Sequence, residues 1–595
     1  MTRRRPKVFK GIDASPGICV GLVHLIDRRK FQVPKYHVRD EQIEQEQQRF
    51  RTAVATSIVQ LESIRDKMAG RKRQDPQAII EAHLLMMRDE VLVAGTEKLI
   101  ASQAINAEWA LKNTVTKIRQ VFDNLEDDYF RERRSDVEFV GQRILRNLMG
   151  HETEVRGPDH ERAVVVAHDL SPIDTAGLSR QKITGFVTEV GGKTSHTAII
   201  ARSLELPAIV GVENILSQVG SGDRIIIDGY RGEVVLHPSE RMVQQALVRS
   251  QGLRTRAAEL ISEKAKPAET RDGQRTRLLA NMEMIEEIPT ALRYGADGIG
   301  LFRTEFLFLD RRPPSEGYQR RCYQRILRQM KGRPVTIRTL DIGGDKRLPF
   351  LRSENEANPA LGLRSIRLCL RVKPMFLAQL RALLRASVDG NLKILFPMIS
   401  CVRELKEAKQ MLAVAKSQLR AKGQRYSRKV KVGAMIEVPS AALMSDALAG
   451  QVDFFSIGTN DLIQYLLAVD RHNEQVAYLF NPLHVSVLRL LKQVVKNAHQ
   501  AKIPVSICGE MAGNPLYLHI ILGMGLDEIS MNPVALPYAR HMIRNSSLKD
   551  AKKLTRLISQ INDSETIRRT VQEWMAERFP EFFTKDGRAD ILGGL

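Results

Sequence analysis

The second half of the chain repeats a pattern of strand then helix, and this repeat constrains the fold more than any other feature. From about residue 271, short apolar runs alternate with amphipathic helical stretches. The runs with the length and composition of strands are Leu278–Met282, Ile299–Phe302, Val335–Leu340, Ile394–Met398, Gly433–Ile436, Phe454–Ile457, Val505–Ile507 and Ile529–Met531. Because a helical stretch follows each run, over roughly 300 residues in all, the pattern predicts a (β/α)₈ barrel.

Polar side chains recur at the carboxyl ends of these predicted strands. The residues in such positions are Arg303, Arg338, Asp341, Glu437, Asn460, Asp461 and Cys508. Barrels of this class build their active sites at the carboxyl ends of the strands. The repeat therefore predicts an active site there, as well as a fold.

The first half of the chain follows a different plan. Strand-like runs extend to Ile26, four helical stripes follow between Asp40 and Leu148, and strand-like runs return at Arg162. We therefore predict an α/β multidomain protein. Its predicted parts are an α/β domain made of residues 1–26 and 150–238, a helical insertion at 27–149, a linker helix at 239–267 and the barrel at 268–580.

Net charge separates the same two halves. The 595 residues carry a net charge of +22, of which +1 belongs to residues 1–240 and +21 to residues 241–595. The basic residues are dispersed, which argues against a dedicated nucleic-acid arm and leaves an anionic substrate or a solvated basic surface. No apolar run has the length of a membrane helix, and five scattered cysteines indicate a reducing compartment. We therefore expect a cytoplasmic protein.

One histidine of the first half stands in an unusual context. His196 follows the glycine-rich turn at Gly191 and Gly192, and a helical run begins beside it. Free N–H groups at such a turn and helix start favour an anion, so His196 could accept a phosphoryl group and hold it there. Taken alone, the same histidine could also be an ordinary helix-capping residue.

Five motifs together resemble a known family. Residues 191–211, reading GGKTSHTAIIARSLELPAIVG, resemble the phosphohistidine signature of phosphoenolpyruvate-utilising enzymes. The runs GLFRTEF at 300–306, IRTLDIGGDK at 337–346, FSIGTND at 455–461 and ICGEMAG at 507–513 follow in the family's order. Nearly the whole chain thus resembles Enzyme I of the bacterial phosphotransferase system. The resemblance implies an enzyme that moves the phosphoryl group of phosphoenolpyruvate to His196 and then to a histidine of the phosphocarrier HPr, releasing pyruvate.

The resemblance also implies roles for the residues of the barrel. It assigns substrate binding to Arg303, Arg338, Arg471, Asn460 and Asp461, with Arg364 as a further candidate. It assigns Glu437 and Asp461 as ligands of Mg²⁺, and Cys508 as the proton donor to the pyruvate enolate. Taken singly, each arginine could instead form a surface ion pair, Glu437 could be a buried partner of an arginine, and Cys508 could be a core residue.

Partners and motion follow from the same resemblance. HPr would dock on the helical insertion, where Ala82, His83 and the run Arg88–Glu90 match the family's docking helix. The histidine domain would swivel, so that His196 meets phosphoenolpyruvate and then leaves. A cytoplasmic homodimer formed through the barrel half and a part in sugar transport are also implied. Neither a membrane nor a nucleic acid is an expected partner.

Three other functions stay open at this stage. An ATP-dependent relative, pyruvate phosphate dikinase or phosphoenolpyruvate synthase, would share the histidine and the barrel, but no phosphate-binding P-loop is present in the sequence. The nitrogen-regulatory paralogue of Enzyme I would share most motifs. A basic nucleic-acid-binding protein would account for the charge alone and would bind in a salt-dependent way.

Overall fold

The chain forms two compact units, Met1–Gln251 and Gly252–Leu595. The computed structural model describes residues 5–26, 33–69, 83–123, 137, 140–150, 162–170, 182–192, 197–198, 201, 206–308, 313–343, 356, 358–471, 473 and 475–583.

A mixed eight-stranded sheet organises the first unit. Its strands are β1 Lys7–Lys10, β2 Ile12–Ser15, β3 Ile18–Ile26, β4 Ala163–Ala167, β5 Ile183–Thr188, β6 Ala208–Val210, β7 Arg224–Asp228 and β8 Glu233–Leu236. They lie in the order β1-β8-β7-β3-β4-β5-β6-β2, and β3 to β6 run parallel. Every residue of β4 is buried, because apolar clusters cover both faces of the sheet.

A helical bundle is inserted between β3 and β4. It contains α1 Ile43–Ala69, α2 Glu90–Gln103 and α3 Ala107–Asp123, together with helical residues 83–87 and 140–148. The apolar stripes of these helices meet in one core around Phe50, Leu61 and Ile144. One of the four helical stripes predicted between Asp40 and Leu148 extends from Ile79 to Val93, and its described residues, 83–93, do not form one helix as predicted. The helix breaks after residue 87, and Asp89 caps a new helix by accepting a hydrogen bond from Val91 N–H at 2.8 Å.

The second unit contains a closed barrel of eight parallel strands. They are β9 Arg277–Met282, β10 Ile299–Phe302, β11 Val335–Arg338, β12 Leu392–Phe396, β13 Lys431–Ile436, β14 Phe454–Ile457, β15 Val505–Ile507 and β16 Glu528–Met531. Each strand pairs with the next one in sequence, and β16 closes the barrel on β9. Parallel pairing places all eight carboxyl ends at one mouth.

Helices separate successive strands of the barrel, and α4 precedes the first strand. They are α4 Glu240–Ser262, α5 Ile288–Arg293, α6 Glu316–Gln329, α7 Ser365–Arg371, α8 Lys373–Ala386, α9 Val402–Ala421, α10 Pro439–Leu443, α11 Ser445–Ala449, α12 Thr459–Leu467, α13 Val485–Gln500, α14 Glu510–Gly513, α15 Leu518–Met524, α16 Leu536–Arg544, α17 Leu548–Ser559 and α18 Ser564–Arg578. Within the described ranges, no helix has both the length and the apolar character needed to cross a bilayer.

The predicted fold class is confirmed: an α/β domain with an inserted helical bundle, followed by a (β/α)₈ barrel. Strand bounds differ where an apolar run is longer than the strand within it. The run predicted as Ile394–Met398 is a strand over Leu392–Phe396, because Pro397 has no N–H to continue the ladder. The residue bounds given above for the separate domains stay a prediction.

Candidate active site at the mouth of the barrel

Three carboxylates from three different loops meet at the mouth of the barrel. Asp341 follows β11, Glu437 directly follows β13, and Asp461 lies in the first turn of α12 after β14. One carboxylate oxygen from each lies within 4.8 Å of the others. Glu437 is 1% exposed and Asp341 is 7% exposed. Three close acidic groups with so little water around them form an oxygen-only site for a hard divalent cation.

The backbone near these carboxylates adopts costly conformations. Met398 has φ +54°, and its N–H donates to Glu437 Oε1 at 2.6 Å. Ser365 also has φ +54°, and its hydroxyl donates to Asp341. Left-handed backbone at residues other than glycine stores strain and is most common at functional sites. In both cases the strained residue orients a carboxylate of the cluster.

Crowding of the carboxylates changes their proton affinity. Burial, reinforced by the negative charges of Asp461 and Asp341, raises the pKa of Glu437 to about 8. Burial also acts to raise the pKa of Asp341, but Arg338 and Arg364 outweigh it and hold that pKa below its ordinary value. The cluster therefore carries negative charge that its protein neighbours only partly neutralise. This is the condition that a bound divalent cation relieves.

The buried Arg338 and the part-buried Arg364 connect the carboxylates to the rest of the mouth. The guanidinium of Arg338 donates to Glu305 at 2.7 Å and lies 2.8 Å from Asp341. Arg364 donates to Asp341 at 3.1 Å and to the Tyr465 hydroxyl at 2.9 Å, and it lies 3.7 Å from Asp461. Arginine in such forks suits phosphate and carboxylate groups, which can take the place of the protein carboxylates.

The remaining polar side chains predicted for this site pair with acidic residues near it. Arg303 forms an ion pair with Glu283, which follows β9. Arg471 lies 3.1 Å from the carboxylate of Glu510, and the side-chain amide of Asn460 donates to that carboxylate at 3.2 Å. The N–H of Glu510 donates in return to Asn460 Oδ1 at 2.9 Å. Asn460 is thus fixed by two bonds to the turn that follows Cys508.

Cys508 directly follows β15 and is 3% exposed. Its sulfur accepts a hydrogen bond from the Ser456 hydroxyl at 3.3 Å and lies 3.4 Å from the Ile457 carbonyl oxygen. Burial raises the pKa of this thiol to about 11. The thiol therefore keeps its proton at neutral pH, as a proton donor must.

Several buried polar atoms of the mouth have no hydrogen-bond partner among the described residues. They are Glu305 Oε2, Arg338 Nε, Arg364 Nε and Thr459 Oγ1. Buried polar atoms are normally satisfied, and each unsatisfied one costs about 1–3 kcal/mol. Their concentration at one mouth indicates a place built to receive polar atoms from a ligand.

Comparison with known proteins identifies the family. Models of phosphoenolpyruvate-utilising enzymes match the chain in three parts: the N-terminal domain at residues 10–133, the mobile domain at 159–232 and the phosphoenolpyruvate-binding domain at 257–548. The chain is 41% identical over 567 residues to the phosphoenolpyruvate-protein phosphotransferase of Bacillus sp. (strain S), covering 95% of this chain and 97% of that one. The chain belongs to the phosphoenolpyruvate-protein phosphotransferase family.

Other members of the phosphoenolpyruvate-protein phosphotransferase family match to the same extent. The member from Bacillus subtilis (strain 168) is 40% identical, covering 95% of this chain and 99% of its own length. The member from Haemophilus influenzae (strain ATCC 51907 / DSM 11121 / KW20 / Rd) is 39% identical, covering 96% and 99%. The predicted family and the prediction that the chain is an enzyme are both confirmed.

The structure places the predicted site residues of the barrel at one mouth. All of them except Arg471 lie at the end of a strand or shortly after it. The residues found at this mouth are Arg303, Arg338, Glu437, Asn460, Asp461, Arg471 and Cys508. Arg471 is separated from β14 by the whole of α12, so it reaches the mouth from a helix–loop junction. His196, the predicted phosphoryl acceptor, lies outside the described residues.

Sequence reasoning missed four members of the site. Asp341 was recognised at a strand end but not as a third carboxylate, and Glu305, Tyr465 and Glu283 were not singled out. Glu305 lies in the same GLFRTEF run as Arg303, and Asp341 lies in the same run as Arg338. Proximity within those runs is the signal that could have found these two, whereas nothing local points to Tyr465.

Proposed function

We propose that this chain transfers the phosphoryl group of phosphoenolpyruvate to its own His196 and then to a histidine of the phosphocarrier HPr, releasing pyruvate. The observation that carries the proposal is the mouth of the barrel, where buried and part-buried arginines stand beside three carboxylates whose ligand oxygens lie within 4.8 Å of one another. A substrate with a phosphate and a carboxylate needs both kinds of group. The relatives named phosphoenolpyruvate-protein phosphotransferase support the same reaction.

Phosphoenolpyruvate would bind by displacing ion pairs within the protein. Arg303, Arg338 and Arg471 now pair with Glu283, Glu305 and Glu510. Glu510 is an exposed partner with 67% of its side chain accessible, so the pair with Arg471 is the easiest to exchange. Asn460 would donate its amide to the same substrate, and Arg364 is a further candidate.

The acidic cluster fits a magnesium ion. Its donor set is entirely oxygen, and burial, together with the negative charges of Asp461 and Asp341, raises the pKa of Glu437. Glu437 and Asp461 would hold the ion, with Asp341 beside them. The bound ion would neutralise charge on the phosphoryl group and polarise the oxygen of the developing enolate.

Cys508 would supply the last proton of the reaction. Once the phosphoryl group has left, the enolate of pyruvate gains a proton at its methylene carbon. The thiol of Cys508 is protonated at neutral pH and stands at the end of β15, level with the carboxylates that follow β13 and β14. These properties support its role as the general acid.

HPr would dock on the helical insertion. Around the predicted docking helix, Leu85 is 69% exposed and Val91 is 66% exposed. Arg88 forms an exposed ion pair with Glu62 at 2.8 Å, whereas His83 is buried within the bundle. An exposed apolar surface with a charged rim is typical of a protein-binding site. Ala82 of the predicted docking segment lies outside the described residues.

We also propose a location, an oligomeric state, a pathway and a domain motion for this chain. The chain would work in the cytoplasm as a homodimer formed through the barrel half. It would catalyse the first step of a phosphotransferase system for sugar transport, and its histidine domain would swivel between phosphoenolpyruvate and HPr. The predicted domain bounds, 1–26 with 150–238, 27–149, 239–267 and 268–580, describe the parts that would move.

Labelled phosphoenolpyruvate tests the proposal. The protein is incubated with the label and Mg²⁺, with and without HPr, and compared with His196→Ala and with a matched histidine variant of the same unit, His237→Gln. We expect an acid-labile, base-stable label that passes to HPr, is lost in His196→Ala and persists in His237→Gln. Label that survives in His196→Ala would refute the assignment of the acceptor.

A further inference from the structure

The thiol of Cys508 has one side-chain hydrogen-bond donor among the described residues, and that donor comes from the neighbouring strand. Ser456, in β14, donates its hydroxyl proton to Cys508 Sγ at 3.3 Å. The sulfur also lies 3.4 Å from the carbonyl oxygen of Ile457, the residue that ends the same strand. Two consecutive residues of β14 therefore fix the position of the sulfur.

Apolar side chains pack around this contact. Leu301, Leu395, Met435 and Phe454 form a cluster with Cys508, and Ser456 is completely buried. A hydroxyl placed among apolar side chains destabilises the fold unless it has a partner, and here its partner is the sulfur. Such a contact is weak for a neutral thiol and becomes strong for a thiolate.

The main chain of Cys508 is held as firmly as its side chain. The N–H of Cys508 donates to the Ile457 carbonyl oxygen at 3.0 Å. The side-chain amide of Asn281, in β9, donates to the Cys508 carbonyl oxygen at 2.8 Å. The side chain therefore keeps one position relative to β14, and the Ser456 hydroxyl stays within reach of the sulfur through a reaction.

We propose that Ser456 is a positioning residue for proton transfer, which holds the Cys508 thiol and donates its O–H to the thiolate left by the reaction. This inference rests on the proposed function. In the step concerned, the S–H bond breaks and its electron pair stays on sulfur. The proton forms a C–H bond with the π electron pair of the enolate C=C bond, while a lone pair on the enolate oxygen forms the C=O bond of pyruvate. The proton of Ser456 stays on its oxygen.

The bond should therefore stabilise the thiolate more than the thiol. Charge-assisted hydrogen bonds are about twice as strong as neutral ones, and a low dielectric strengthens them further. Removing the hydroxyl should slow proton transfer between sulfur and carbon by about tenfold to a hundredfold. Phosphorylation of the histidine, which precedes this step, should change little.

Exchange of the methyl protons of pyruvate for deuterium tests the inference, because it follows carbon–sulfur proton transfer without any phosphoryl transfer. The full-length protein is incubated with pyruvate and Mg²⁺ in D₂O, and exchange is followed by NMR. Ser456→Ala is compared with Ser506→Ala, a matched control. Ser506 is also a buried serine of the barrel, but its hydroxyl donates to the Phe455 carbonyl oxygen at 3.2 Å rather than to sulfur.

We expect exchange to slow in Ser456→Ala and its pH profile to move to higher pH, since thiolate formation becomes harder. Arg338, Glu437 and Arg303 also act on the thiol and are the same in both variants. A merely structural role would lower the amount of folded protein without moving the pH profile. Ser456→Cys keeps the shape with a weaker donor and should fall between wild type and Ser456→Ala, which preserves the test if Ser456→Ala misfolds.

Equal exchange rates and equal pH profiles in Ser456→Ala and Ser506→Ala would overturn the role of Ser456, while labelling by phosphoenolpyruvate stayed intact. Failure of the proposed function is a different result: the wild-type protein would take no label from phosphoenolpyruvate and would exchange no pyruvate protons, which would remove both proposals.

Discussion

Charged groups are buried at both ends of the barrel, but in different ways. At the amino end, Lys393 of β12 lies 3.2 Å from both carboxylate oxygens of Glu528, the first residue of β16. Arg277 lies 3.3 Å from the same carboxylate, and the Lys393 ammonium lies 5.2 Å from the centre of the Phe454 ring. At the carboxyl end, Asp341, Glu437 and Asp461 converge, and one of them has a strongly raised pKa.

This difference indicates that the buried charges at the amino end contribute to stability, whereas those at the carboxyl end contribute to function. The charges at the amino end compensate one another, since the buried carboxylate of Glu528 has two cations beside it. The carboxyl end keeps carboxylates whose charge is not balanced and buried polar atoms without partners in the described structure. Paired buried charges at the amino end are compatible with a stable barrel. Unpaired buried charges at the carboxyl end are useful only when a bound ligand neutralises them.

The largest expected effect comes from the carboxyl end. Glu437→Gln or Asp461→Asn should reduce phosphorylation by phosphoenolpyruvate about ten-thousandfold, because each replaces a proposed carboxylate ligand of Mg²⁺ with a neutral amide. The initial rate of labelling measures the effect. Glu528→Gln, a matched change at the amino end, should leave the rate per folded molecule unchanged; an equal loss in that variant would abolish the contrast between the two ends.

The amino end should respond in stability instead. Lys393→Met leaves the exposed Arg277 as the cation beside the buried Glu528, and it should lower the free energy of unfolding by about 3–5 kcal/mol. Denaturant unfolding of the purified protein measures this change. In the double variant Lys393→Met with Glu528→Leu, most of the lost free energy of unfolding should be regained, because no unpaired charge remains. If the double variant is as unstable as the single variant, the unpaired charge of Glu528 is not the cause of the lost stability.

Replacement of an arginine by lysine sharpens the comparison further. Arg338 contacts two carboxylates with different nitrogen atoms, which a lysine cannot do. We expect Arg338→Lys to lower kcat/KM for phosphoenolpyruvate about a hundredfold, and Arg277→Lys at the other end to change it less than twofold. Steady-state kinetics of the two variants measure the effect. Equal losses of kcat/KM in both would show a general dependence on arginine and no difference between the two ends.

The smallest expected effect is a pH dependence of stability in the metal-free protein. The pKa of Glu437 rises from an ordinary 4.5 to about 8 on folding, so the folded state favours the protonated form. Its contribution is complete below pH 4.5 and is lost as the pH rises to about 8. Thermal unfolding without and with Mg²⁺ measures it, and the dependence should vanish in Glu437→Gln. A loss of the same size in that variant would place its origin elsewhere.

Much of the fold could be predicted from sequence because barrel strands are short apolar runs with sharp ends. Ile299–Phe302, Phe454–Ile457 and Val505–Ile507 have the same bounds in the prediction and in the structure. The run ending at Met398 was misplaced because burial continues beyond the strand to Ile399, and only Pro397 marks the strand's end. Local pattern cannot distinguish a buried strand from the buried turn that follows it.

The site was predictable only as far as it lies in contiguous motifs. Glu437, Asp461 and Cys508 stand next to strand ends, so their meeting follows from the barrel itself. Asp341 joins the site from the loop after β11 and Tyr465 from within α12, and the pairing of Lys393 with Glu528 crosses the interior between strands that are not neighbours. Such contacts depend on register and loop geometry, which no short run of sequence encodes.

A single-turnover measurement of pyruvate tests the central claim most directly. The protein is mixed with phosphoenolpyruvate and Mg²⁺, without ATP and without HPr, and the pyruvate released per chain is followed in time. The account predicts a burst approaching one pyruvate per chain, which is absent in His196→Ala and becomes continuous turnover when HPr is added. A burst that requires ATP, or one of equal size in His196→Ala, would contradict it.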